Sequence, residues 1–224
     1  MKKAKCPYCG SELDYSNGNR CSRFPICMYM EMGVPTDVSE YIMYDLETTG
    51  FSDSRDKIIE IGAVHVVNGN IVDRFSELCN PGKFVSQKIT ELTGITNQML
   101  EGISSTEEVV ETFIDWISKT GVKMAIGHNI TSFDNRMLKA ACRKQKLQFP
   151  FEYTLDTLTF AKKLKLQERG LVSRYKQETL AELYGITYDA HRAVNDVEAL
   201  NQIFNHLLQD AQSLNVELPI IISK

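Results

Sequence analysis

Asp45 and Glu47 stand two residues apart in Tyr44-Asp45-Leu46-Glu47-Thr48-Thr49-Gly50, behind the apolar lead-in Tyr41-Ile42-Met43. In a strand, residues i and i+2 face the same side. Two carboxylates side by side repel unless a cation lies between them, and such oxygen ligands suit a hard divalent metal. The pair could equally be the solvated end of a strand, so this segment alone leaves both readings open. Groups of matching chemistry lie downstream: Asp134 in Gly127-His128-Asn129-Ile130-Thr131-Ser132-Phe133-Asp134, and His191 and Asp196 in Ala190-His191-Arg192-Ala193-Val194-Asn195-Asp196. They shift the balance toward a metal site.

Together these motifs resemble those of the DEDDh 3′→5′ exonucleases, the group of DnaQ-like proofreading subunits and domains. The family's aspartate-x-glutamate-threonine-threonine-glycine motif corresponds to Asp45–Gly50, its middle aspartate to Asp134, and its final histidine-x(4)-aspartate to His191 and Asp196. Ile58-Ile59-Glu60-Ile61-Gly62-Ala63 and Leu92-Thr93-Gly94-Ile95-Thr96 also look like family segments. The resemblance implies an α/β, ribonuclease-H-like mixed sheet flanked by helices. It also implies hydrolysis of phosphodiester bonds from the 3′ end of DNA, in proofreading or repair, with release of nucleoside 5′-monophosphates. RNA 3′-end trimming is the alternative within the same chemistry. A non-catalytic nucleic-acid- or polymerase-binding protein is the rival from another class, and the complete carboxylate set argues against it.

The chemistry this resemblance implies needs two divalent ions, Mg²⁺ or Mn²⁺, about 4 Å apart: one activates water and the other stabilises the leaving oxygen. Asp45, Glu47, Asp134 and Asp196 are the implied ligands. By the family's pattern Asp45 bridges both ions, Glu47 and Asp196 complete the water-activating site, and Asp134 helps position the second ion. His191 is the implied general base, since an ordinary imidazole pKa of about 6.5 suits proton transfer at neutral pH. A histidine in the loop just before a helix, with Asp196 one turn inside, lets the two converge.

Substrate contacts are expected from Thr48 and Thr49, whose amides and hydroxyls follow the ligand strand. Ile95 matches the family's apolar residue that packs on the terminal bases. Asn129 is expected to bond the phosphate backbone or orient a loop, with His128 serving a structural role at least as readily. Three residues separate Asn129 from Phe133 where two are usual in the family, which predicts a bulge before the helix. Phe133 reads as core and Glu60 as a solvated carboxylate.

Four of six cysteines fall in the first 27 residues: Cys6, Cys9, Cys21 and Cys27. Cys6-Pro7-Tyr8-Cys9-Gly10 has the spacing of a zinc knuckle, and the four thiols predict one tetrahedral Zn²⁺ whose binding drives folding of a small module. Four unrelated reduced thiols are the plainer alternative. Cys21 to Cys27 resembles the second half of the zinc ribbons of type IA topoisomerases, which bind single-stranded DNA. Tyr8, Phe24 and Tyr29 among basic residues would suit stacking and phosphate contact, or would form the module's own small core. Partner-protein docking is a further alternative. Cys79 and Cys142 read as buried free thiols.

The elements that must position these groups follow from periodicity. Strands are expected at Tyr41–Leu46, Ile58–Val67 and Ile71–Leu78, the last two joined by a tight turn at Asn68-Gly69-Asn70. A helix opens at Thr106, with Val109, Val110, Phe113, Ile114 and Ile117 on one face. Met124–Gly127 is a short strand, and helices are expected over Ser132–Lys146, Asp156–Leu166, Glu178–Tyr184 and Ala193–Leu208. The expected organisation is a zinc-ribbon module over 1–33, a linker over 34–40, the exonuclease domain over 41–210 and a C-terminal tail over 211–224, whose apolar Leu218–Ile222 is expected to pack back on the body.

Composition bounds the rest. With 43% apolar and 24% charged residues, the 224-residue chain is ordinary for a globular protein. No apolar run reaches the roughly 20 residues of a membrane span, and the basic start has no apolar core behind it, so a cytoplasmic protein without membrane contact is expected. The net charge is −4, split as +3 over residues 1–30 and −7 over the remainder. That argues against nonspecific coating of nucleic acid, while an acidic body fits carboxylates offset by metal. The expected partners are a nucleic acid with a 3′ end, DNA by the resemblance, and a DNA polymerase or another replication or repair protein.

Overall fold

The computed structural model describes residues 38–189 and 192–223, together with two short strands nearer the N-terminus. The chain divides into two compact units, Met1–Pro35 and Thr36–Lys224. In the first, β1 (Leu13–Asp14) and β2 (Arg20–Cys21) pair antiparallel, with Leu13 opposite Cys21. The remainder of that unit, including Cys6, Cys9 and Cys27, lies outside the described residues.

The second unit is built on a six-stranded mixed sheet. Its strands are β3 (Glu40–Thr48), β4 (Ile58–Val67), β5 (Asn70–Leu78), β6 (Met124–Gly127), β7 (Tyr153–Asp156) and β8 (Ile220–Ile222), in the order β5-β4-β3-β6-β7-β8. The first three form an antiparallel meander, in which Asn68 and Gly69 at φ 51° and 78° make the β4–β5 turn. β3, β6 and β7 run parallel, and β8 returns antiparallel on β7. The apolar end of the chain is thus a sheet edge.

Strand alternation sorts β3 between two cores. Tyr41 and Met43 face α4 (Thr157–Lys163), α5 (Gln177–Leu183) and α6 (Ala193–Leu214), in a cluster with Phe160, Leu180, Val197 and Phe204. Ile42, Tyr44 and Leu46 face α2 (Thr106–Thr120) and α3 (Asp134–Gln145), packing with Phe113, Ile117 and Leu138. A third, smaller cluster of Ile59, Val85, Ile89, Ile95 and Leu100 lies around α1 (Gln87–Thr93). Helices on both faces of a mostly buried sheet give the α/β, ribonuclease-H-like layering. Among the described residues no helix is long and apolar enough to cross a membrane.

Candidate active site

Asp45 and Glu47 continue the side of β3 that begins with Tyr41 and Met43. The same alternation that buries two apolar side chains under α6 therefore delivers two carboxylates where that core ends. Asp196, in the first turn of α6, meets them there. One carboxylate oxygen from each of Asp45, Glu47 and Asp196 lies within 4.8 Å of the other two, and all three side chains are partly buried.

Asp134 reaches the same strand from the other side. It is the first residue of α3, it is buried, and its Oδ1 accepts the main-chain N–H of Leu46 at 3.1 Å. Leu46 lies between Asp45 and Glu47, so the fourth carboxylate is docked on the backbone that carries the first two. The neighbouring Asn135 strengthens the tie: its Oδ1 accepts the Tyr44 hydroxyl at 2.5 Å, and its Nδ2 donates to Thr154 Oγ1 at 3.1 Å.

The electrostatics follow from the crowding. Burial, then the Asp196 and Glu60 charges, push the Asp45 carboxyl up to about 7. Burial, then Asp45, Asp196 and Glu60, push Glu47 up to about 8. Asp134 is also raised, first by burial and then by Asp45, against the opposing pull of its backbone hydrogen bonds. Carboxylates packed this closely cannot all stay ionised without a compensating positive charge. Oxygen donors from β3 (Asp45, Glu47) and α6 (Asp196), crowded within 4.8 Å of one another, fit a hard divalent cation such as Mg²⁺ or Mn²⁺.

A cavity of about 420 Å³ opens over the cluster, lined by Asp45, Glu47, His128, Asn129, Tyr175 and Asp196 among others. Its wall is built by hydrogen bonds that the sequence did not advertise. His128 Nδ1 lies 3.0 Å from Thr157 Oγ1 and its Nε2 2.8 Å from the Tyr175 carbonyl. That carbonyl can only accept, so Nε2 carries a proton. Asn129 turns into the left-handed region at φ 60°, and Asp156 accepts the N–H groups of Asn129 and Thr131 at 3.0 and 3.2 Å. The N–H groups of Ser132 and Phe133 both donate to the Asn129 carbonyl at 3.1 Å, so a turn precedes α3. Gln177 Nε2 donates to the Asp196 carbonyl at 2.9 Å and lies 3.3 Å from the Tyr188 hydroxyl.

The other expected contact residues are placed as follows. Thr48 Oγ1 donates to the Gly50 carbonyl at 2.7 Å, and Thr49 Oγ1 donates to Asp56 at 3.1 Å while accepting from the Lys57 N–H. Both hydroxyls thus shape the loop after β3. Ile95 is fully buried in the small cluster around α1, its surface spent inside the fold. Phe133 is partly buried against the α2–α3 core. His191 lies outside the described residues, as does Ala190 before it. Cys79 and Cys142 are buried and free, their thiols raised by burial. Glu60 departs from the expectation of a solvated carboxylate: it is 1% exposed, and Arg192 and the Ala193 N–H hold it. Its place opposite Glu47 in the sheet, under α6, removes it from water.

A family model described as exonuclease matches residues 42–204, which include every carboxylate of the cluster. The chain belongs to this exonuclease family. Within the exonuclease family, the chain is 37% identical over 180 residues to a DNA polymerase III PolC-type of Caldanaerobacter subterraneus, and 33% identical over 179 residues to one of Pediococcus pentosaceus. Each match covers 80% of this chain and 12% of the polymerase, so the chain spans a small fraction of those relatives. The fold is similar to Escherichia coli exonuclease I in complex with a dT13 oligonucleotide, with a TM-score of 0.68, 18% identity and coverage of 79% of this chain and 42% of that one. It is also similar to exonuclease X in complex with 5′-overhanging duplex DNA, with a TM-score of 0.58, 22% identity and coverage of 77% and 93%.

Proposed function

We propose that this chain is a two-metal-ion 3′→5′ exonuclease that trims the 3′ end of DNA in a proofreading or repair setting and releases nucleoside 5′-monophosphates. The observation that carries the reading is the convergence of Asp45, Glu47 and Asp196 within 4.8 Å, with Asp134 bonded to the strand between the first two. In this reading Asp45, Glu47, Asp134 and Asp196 would hold the cations. Bound there, two divalent ions would make water more acidic and offset charge on the leaving oxygen.

The chain's own groups supply the rest. His191, five residues before Asp196, takes a proton from the attacking water on a ring nitrogen. The water oxygen bonds to phosphorus, the bond to the 3′ oxygen breaks, and the freed oxygen takes a proton from solvent. His128 and Asn129 line the cavity beside the cluster; Asn129 orients the phosphate backbone, while His128, both ring nitrogens engaged by Thr157 and Tyr175, holds the wall. The loop at Thr48 and Thr49 offers main-chain groups to the terminal nucleotide. A cavity of about 420 Å³ falls within the roughly 300–1,000 Å³ usual for small-ligand sites. Likeness to DNA polymerase III proteins favours DNA, and a polymerase or repair protein as partner.

The deciding experiment follows a 3′-labelled oligonucleotide with Mg²⁺ for wild type and Asp45→Ala. Wild type shortens it from the 3′ end and the variant does not. Equal trimming by both would mark the activity as foreign to this site. A panel of single- and double-stranded DNA and RNA, with matched and mismatched ends, reads the substrate. Faster loss of RNA would reassign the enzyme to RNA trimming.

We further infer that Cys6, Cys9, Cys21 and Cys27 hold one Zn²⁺ in a ribbon over residues 1–33 that contacts single-stranded nucleic acid. Pairing of β1, after the first cysteine pair, with β2, which holds Cys21, supports a ribbon-like hairpin. Metal analysis of reduced protein is expected to find about one zinc per chain, lost in Cys6→Ser with Cys9→Ser. Zinc-free wild type would sink this assignment.

A further inference from the structure

Glu60 lies on β4 directly opposite Glu47, and Gly62 directly opposite Asp45. Residues opposite one another in an antiparallel pair share a face, so all four positions look toward the start of α6. Both Glu60 oxygens are committed there. Oε1 accepts from Arg192 Nε at 3.1 Å and Nη2 at 3.0 Å, and Oε2 accepts the Ala193 N–H at 3.1 Å. Arg192 occupies the N-cap position of α6 and makes no side-chain cap of its own. Helices leave their first N–H groups unpaired and favour a nearby negative charge. Glu60 supplies both acceptor and charge from a neighbouring strand, a cap delivered across 133 residues of sequence.

Gly62 makes the fit possible. A Cβ at that position would lie 2.2 Å from the Ala193 carbonyl carbon and 2.3 Å from the Val194 nitrogen. The backbone of α6 therefore rests on β4 where no side chain intervenes, and Glu60 fastens it two residues away. Asp196 sits one turn in, its N–H bonded to the Arg192 carbonyl at 3.0 Å. A rigid single turn connects the clamp to the carboxylate. Burying a further acid beside three others is costly, and Arg192 offsets that cost.

We propose that Glu60 is a positioning residue of the metal site: by clamping Arg192 and the Ala193 N–H it sets where Asp196 stands relative to Asp45 and Glu47. The proposal deepens the exonuclease reading and rests on it. Glu60 touches neither substrate nor the reacting atoms, and its action passes through the first turn of α6.

The test measures Mn²⁺ binding to the full chain from the electron-paramagnetic signal of free Mn²⁺. Metal-free melting temperature is read alongside, with kcat and KM on a 3′-labelled oligonucleotide. Glu60→Gln and Glu60→Ala remove the same charge, but only the glutamine keeps an oxygen for the Ala193 N–H. Glu60→Ala is expected to weaken Mn²⁺ binding by about 10–100-fold, the usual effect of losing a group that orients metal ligands. Its kcat falls in step while KM holds, and Glu60→Gln recovers part of both. Equal losses in the two variants would reduce Glu60 to a nearby charge and overturn positioning. Lowered melting temperature with unchanged Mn²⁺ affinity and kcat would make it a fold-holding ion pair and overturn it too. Should Glu60→Ala not fold, Arg192→Lys keeps the charge pair and loses the fork, so it must weaken Mn²⁺ binding or the clamp is refuted. Wild type that binds no Mn²⁺, or binds it no better than Asp45→Asn, sinks the exonuclease reading itself. Wild type that binds and trims while the Glu60 variants match it sinks only the clamp.

Discussion

Asp134 accepts the backbone N–H of Leu46 at 3.1 Å, so the first residue of α3 is fixed to the strand position between Asp45 and Glu47. This separates two jobs of one side chain. Accepting the hydrogen bond needs an oxygen, whereas holding a cation needs a charge. Asp134→Asn keeps the first and discards the second. Its metal-free form is expected to melt at or above the wild-type temperature, because one of four crowded carboxylates has been neutralised. Its kcat is expected to fall by about 10²–10³-fold, the scale for deleting a group that stabilises transition-state charge. Calorimetry and a labelled-oligonucleotide assay check both halves. A melting temperature well below wild type would show that the Asp134 charge holds the fold.

The same crowding gives the metal-free protein an unusual pH dependence. Asp45 is raised to about 7 and Glu47 to about 8, against about 4 for unfolded carboxyls. Between those values the folded chain binds more protons than the unfolded one, so stability falls as pH rises. The contribution of these two groups is full below about pH 4 and is lost as pH passes 7 to 8. Melting in chelator is therefore expected at lower temperature at pH 8 than at pH 5.5. Mn²⁺ reverses the slope by binding the ionised form. At about a hundred times its dissociation constant it adds about 2.7 kcal/mol, or roughly 5–10 °C for a domain this size, and more at pH 8 than at pH 5.5. A melting temperature indifferent to Mn²⁺ at pH 8 would contradict the metal reading.

Much of this arrangement is legible in local patterns. The alternation Tyr41, Met43, Asp45, Glu47 marks a strand whose buried side turns acidic at one end, and Asn68-Gly69 marks the turn that returns β5 to β4. The start of α6 at Ala193 follows from its helical periodicity. What stays hidden depends on partners remote in sequence. β7 is four residues long and becomes a strand by lying between β6 and β8. α1 has seven residues and relies on the Ser86 and Gly94 caps more than on any apolar stripe. Glu60 reads as solvated because nothing near it in the chain announces Arg192, 132 residues away. Its signal was weak but present: one acid in the otherwise apolar run Ile58-Ile59-Glu60-Ile61-Gly62-Ala63.

Phe51 offers a last test, this time of substrate contact. It follows Gly50 at the end of the ligand strand's loop and is 70% exposed, which is uncommon for an aromatic that packs against a neighbour. Its ring lies 5.8 Å from that of Phe133, the residue before Asp134, and Arg136 Nη2 donates to its carbonyl at 2.9 Å. The ring is thus held in place with one side in water, the arrangement a base can stack on. Such stacking is worth about 1–3 kcal/mol per base, or roughly 5–150-fold in binding. Phe51→Ala is expected to raise KM for single-stranded oligonucleotides within that range. Its kcat at saturation and its Mn²⁺ affinity should hold, because none of the four carboxylates bonds to Phe51. Phe51→Trp should restore KM. A fall in kcat at constant KM would instead place Phe51 in support of the metal cluster, and an unchanged KM would remove it from the substrate path.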